Sequence, residues 1–220
     1  AQIAQNGDEE ELFAGSADAT VTDKGTRVSI AMTRKVAGFL GYFVNIPQII
    51  NGDTVRYVRL NVSNANQAVN LTTGSGINTS ETPFHVIDMD LSGQEVANGV
   101  YTGNDLSGQG VVKIANSQLS GAYYMPVSGV SLTLGLYSPA GNALKVWNIQ
   151  DSNGGTSKFD ILANHFYSLG TKAMAGNTTG GTTDPGDDDA TIDLMTDQNI
   201  VISISPAWEL IHNLVIQPQP

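Results

Sequence analysis

The chain has 220 residues, enough to bury a sizeable core as one large β domain or two small ones. Its 24 Gly, 8 Pro and 14% charged residues, with abundant Ser, Thr and Asn beside Val and Ile, suit short strands joined by tight turns and exclude long surface helices. A net charge of −11 repels phosphate backbones, which argues against a nucleic-acid partner, and the absence of cysteine excludes disulfides, thiolate metal sites and a cysteine nucleophile.

Residues 1–25 open with the acidic run Asp8-Glu9-Glu10-Glu11 and continue with small polar residues, which predicts an exposed lead-in. A start without an initiator Met or signal peptide suggests a trimmed or processed form with upstream sequence missing, which would make this lead-in the end of a missing N-terminal domain. From Thr26 the pattern becomes Val28, Ile30 and Met32 alternating with Ser29, Ala31 and Thr33, the period-two signature of a half-buried strand that opens a domain over 26–220.

Further strands are predicted over 39–46, 54–62, 84–91, 110–114, 130–137, 143–149, 161–169 and 199–205. Asn51-Gly52, Ser92-Gly93, Asn98-Gly99, the 139–142 stretch and the 153–155 stretch supply turn chemistry between them. This spacing predicts an all-β sandwich or barrel. Residues 174–191, rich in Gly, Thr and Asp, read as a flexible surface loop. No window approaches 18 apolar residues, so no transmembrane helix is expected.

Chemistry-bearing constellations are sparse. Asp184, Asp187, Asp188 and Asp189 are oxygen donors suited to calcium, but their spacing lacks the alternation and terminal acid of an EF-hand, and a solvated acidic loop is the favoured reading. His85, His165 and His212 are far apart and form no zinc-binding motif, and no cofactor is expected. Gly103, Gly108 and Gly110 do not form a phosphate loop, and no nucleophile elbow is present, so the expectation is a non-enzymatic protein. Trp147, Tyr123, Tyr124 and Tyr137 could form a sugar-stacking platform, although core or cross-strand roles are more usual for such residues.

The tail is the most unusual feature. Ile200, Ile202 and Ile204 share one strand face; after Pro206, which cannot donate to a ladder, Trp208, Leu210, His212, Leu214 and Ile216 share another. These residues define a strand pair over 199–216, which is either the domain's own last strands or an element offered to a partner chain.

Three stretches carry a family resemblance: Ile30-Ala31-Met32-Thr33-Arg34-Lys35-Val36-Ala37, the 161–170 strand, and Asp197 to Ile204 followed by Pro206-Ala207-Trp208-Glu209 and the 212–216 ending. In this order they resemble the C-terminal domain of the Bacteroidetes fimbrillins, the FimA- and Mfa-type subunits of type V pili, over residues 26–220. The resemblance implies a transthyretin-like, Ig-like Greek-key β-sandwich of about seven core strands plus C-terminal extra strands. It also implies an outer-membrane fimbrial location and assembly with other pilin subunits, in homo- or heteropolymers, by donor-strand exchange. A tip or accessory adhesin that binds a glycan or host protein through surface loops is the alternative.

Overall fold

The computed structural model describes residues 11–22, 25–80, 83–103, 114–151, 158–171 and 190–206. Every regular element among them is a strand. Eight strands build the body: β1 (Ala37–Val44), β2 (Tyr57–Val62), β3 (Phe84–Asp90), β4 (Ser117–Tyr124), β5 (Leu132–Tyr137), β6 (Ala143–Asn148), β7 (Phe166–Leu169) and β8 (Val201–Ser205). They lie in two sheets, ordered β4-β1-β7-β8 and β3-β2-β5-β6. Among these eight strands the β1–β7 pair is parallel and the other pairs are antiparallel.

Alternation decides which side chains meet between the sheets. Val58, Leu60 and Val62 of β2 and Leu132, Leu134 and Leu136 of β5 point inward, while Phe39, Phe43, Tyr167, Leu169, Ile200 and Ile202 come from the opposite sheet into the same hydrophobic cluster. The Phe39 and Tyr167 rings stack at 5.0 Å, and Tyr124 meets Phe39 edge-on at 6.1 Å, geometries that add to the area the rings bury. A bulge between Leu60 and Asn61 in the β2–β3 ladder displaces the register by one residue, so that both Val86 and Ile87 reach the interior.

Turn chemistry follows the sequence. Asn51 and Gly52 both adopt positive φ between paired Ile49–Ile50 and Asp53–Thr54, and Asn98 and Gly99 do the same between Val96–Ala97 and Val100–Tyr101, as two-residue hairpin turns require.

Two strand expectations are corrected. Residues 26–32 form no strand, and Val28, Ile30 and Met32 are 44%, 52% and 57% exposed; the first body strand is β1, because only from Val36 onward does the chain have a second sheet to pack against. The expected 161–169 strand is divided, Phe159–Ile161 pairing with Val127–Val130 and β7 starting at Phe166, because Asn164 takes a left-handed turn conformation between them. The expected 110–114 strand falls on residues of which 110–113 lie outside the described set; β4, which pairs with β1, was not anticipated. The hairpin of Ala65–Val69 with Gly76–Ser80 was also not anticipated.

Candidate functional site

Strand registers fix what lies at one end of the β4-β1-β7-β8 sheet. Tyr123 of β4 pairs with Gly38 at the start of β1, Phe166 of β7 pairs with the same Gly38, and Ser205 at the end of β8 pairs with Phe166. The chain therefore reaches Pro206 two strands from the entry to β1, roughly 10 Å across the sheet.

At that entry an N-terminal arm is clamped to the body. Phe13 and Ala14 pair antiparallel with Arg34 and Thr33, and the Lys35 amide donates to the Leu12 carbonyl at 2.8 Å. Arg34 is the fastener: its guanidinium pairs with Glu11, donates to Asn164 Oδ1 at 2.9 Å and lies 5.0 Å from the Phe13 ring centroid. Asn164 in turn donates its amide to the Val36 carbonyl, which ties the fastener to the turn before β7. Burial raises the Tyr123 hydroxyl above its usual range; the Glu11 carboxylate acts in the same direction, and Arg34 opposes it.

Beyond this clamp the arm contributes no residue to the hydrophobic core. Every described residue from Gly15 to Thr33 is exposed, including the alternating row Val28, Ile30 and Met32. An apolar row at strand spacing, unpaired on its own chain, is the kind of surface that another strand covers. The row leads through the clamp at Thr33 and Arg34 into β1, the end of the sheet at which β8 delivers the chain to Pro206.

Of the residues expected to contact a partner, Ile200 and Ile202 lie in the core of their own chain, and Ile204 is exposed near the end of β8. β8 pairs antiparallel with β7 and parallel with Gln150–Asp151. Trp208, Leu210, His212, Leu214 and Ile216 lie outside the described residues, as do Asp184, Asp187, Asp188 and Asp189 and residues 174–189 of the expected loop. The base of that loop is described: Thr171 and Ala190 exchange backbone hydrogen bonds of 2.6 and 2.8 Å, so the excursion leaves and re-enters at one point. Among the described residues no three His, Asp or Glu side chains form a metal-binding group, and no helix is long and apolar enough to cross a membrane.

The expected aromatic platform is dispersed. Tyr124 is in the core against Phe39 and Phe84. Trp147 is buried with its indole N–H donating to the Asp197 carbonyl at 3.1 Å, and Tyr123 and Tyr137 lie on different sheets. Sequence reasoning missed Arg34 as a fastener, because its partners Glu11, Phe13 and Asn164 are remote or unremarkable in the chain. The exposure of the Val28 row has one sequence signal, the polar lead-in that offers it no apolar partner strand.

No family model and no curated protein sequence matches the chain. Among solved structures it is similar to one from Bacteroides uniformis, provisionally described as a cell adhesion protein, at 12% identity and a TM-score of 0.34. The match covers 81% of this chain and 52% of that one, so the chain spans about half the length of that structure.

Proposed function

We propose that this chain is a non-enzymatic structural subunit of a bacterial surface fibre, joined to neighbouring subunits by strand addition. The observations that support this reading are the exposed Val28-Ile30-Met32 row that leads into β1 and the exit of the chain from β8 at Pro206, at the end of the sheet where β1 begins. The segment Trp208 to Ile216 that follows has strand-like alternation and apolar residues on both faces, and main-chain pairing of such a segment supplies affinity while alternate side chains supply specificity. Because Ile200 and Ile202 fill the chain's own core, the donated element in this proposal is Trp208–Ile216, with β8 as its anchor. The strand order β4-β1-β7-β8 facing β3-β2-β5-β6 supports assignment to the transthyretin-like sandwiches, and the fimbrillin resemblance of residues 26–220 supports a location on the cell surface.

Deletion of residues 207–220 tests the proposal. The deleted chain keeps the thermal unfolding transition of the full chain but sediments as a single small species where the full chain forms higher oligomers. Loss of the unfolding transition would make the tail part of the core, and unchanged oligomers would remove it from assembly.

A further inference from the structure

The chain contains no cysteine, so its sulfur chemistry lies entirely in five methionines. Four of them are among the described residues, and they divide into two kinds. Met125 is 1% exposed, and Met89 is partly buried against the hydrophobic core. Met32 and Met195 are 57% and 48% exposed. Met195 stands in a turn, its amide donating to the Asp193 carboxylate at 2.9 Å. Met32 is the last member of the apolar row on the arm, directly before Thr33, which pairs with Ala14 at the clamp.

An exposed thioether is a nucleophile toward peroxides. The sulfur lone pair attacks one peroxide oxygen, the O–O bond breaks, an S–O bond forms, and the displaced oxygen leaves as water or an alcohol. Sulfur loses two electrons and the peroxide gains them. The product, methionine sulfoxide, is polar and chiral where the parent side chain was apolar and flexible, and methionine sulfoxide reductases reverse the change.

Position decides what this reaction does. At Met125 a sulfoxide would place a polar oxygen in the packed interior and cost stability. At Met32 it leaves the sandwich intact, because the arm contributes no residue to the hydrophobic core and the clamp is made by Glu11, Phe13, Arg34 and Asn164. What changes is the row itself: one of three apolar side chains becomes a group that must give up hydrogen bonds to water when it is covered.

We propose that Met32 is a reversible oxidation site for peroxides, and that its sulfoxide turns strand addition off while the sandwich stays folded. The effect on assembly rests on the strand-addition reading; the oxidation itself rests on the exposure of Met32.

Peroxide titration of the full chain, followed by peptide mass spectrometry, sedimentation and thermal unfolding, tests the proposal. In the dilute chain Met32 is expected to oxidise about tenfold faster than Met125 or more, with the unfolding transition unchanged. The oxidised chain is expected to assemble about tenfold more weakly, and reductases for both sulfoxide epimers, with dithiothreitol as reductant, restore assembly. Met32→Leu, which conserves side-chain volume, keeps assembly before and after peroxide, while Met195→Leu remains peroxide-sensitive. A full chain that does not assemble before oxidation would end the strand-addition reading and the switch with it. Oxidation of Met32 no faster than that of Met125, assembly indifferent to sulfoxide at Met32, or equal loss of assembly in peroxide-treated Met32→Leu would overturn the switch alone.

Discussion

Two segments of this chain carry the same period-two apolar pattern and meet opposite fates. In β2, Val58, Leu60 and Val62 are completely buried; in the arm, Val28, Ile30 and Met32 are roughly half exposed. The difference is not in the residues, which are of similar size and strand propensity. β2 has a ladder on each side and a second sheet across from its inner face, whereas the arm is paired only over two residues at its base. Periodicity therefore reports that a strand has an apolar face. Whether the covering surface belongs to the same chain is a property of topology.

The largest test of this contrast is a matched pair of truncations. Leu60→Ala opens a cavity in the core and is expected to lower unfolding free energy by about 2–5 kcal/mol. Ile30→Ala removes a side chain that buries little and is expected to change it by no more than about 0.5 kcal/mol. Denaturant titration of both variants checks the pair, and a comparable loss at Ile30 would mean that the arm is part of the folded core.

A smaller effect concerns the clamp. Arg34→Ala removes the pair with Glu11, the hydrogen bond to Asn164 and the contact with Phe13, so limited proteolysis should cut between residues 11 and 34 several-fold faster without displacing the main unfolding transition. Equal cleavage rates would show that backbone pairing at Phe13 and Ala14 suffices to hold the arm.

The smallest expected effect is a pH dependence on the opposite sheet. Burial, seconded by the positive charge of Arg59 and opposed by Asp88, lowers the pKa of His85, which is hydrogen-bonded to Asn61. The unfolded chain therefore binds a proton more readily than the folded one, and stability is complete above the ordinary histidine pKa of about 6.5 and declines as pH falls through it. His85→Gln should flatten the slope of stability between about pH 7 and 5, measured as the midpoint of urea unfolding; an unchanged slope would assign it to other groups.

The all-β class and six of the eight body strands were legible because alternation, Asn-Gly turns and β-branched residues agree there, as in β2 and β5. β4 was not, since three of its four inward positions, Gln118, Ser120 and Ala122, are polar or small, leaving only Tyr124 as a large core residue; the buried Gln118 amide bonds Gln94 at 2.8 Å. The division at Asn164 was missed because a left-handed asparagine is a conformational choice that composition does not announce. At the candidate site, the apolar character of the Val28 row and of the tail was readable, but that β8 ends where β1 begins depends on β1, β7 and β8 being neighbours, which is set by long-range pairing.

Hydrogen–deuterium exchange on the full chain, compared between dilute and assembled samples, tests the account most directly. Amides of residues 26–32 and 208–216 are predicted to exchange near unprotected rates when dilute and to gain protection together on assembly, while β2 and β5 stay protected throughout. Protection of 208–216 already present in the dilute chain, or an arm that remains unprotected in the assembly, would contradict strand addition at this end of the sandwich.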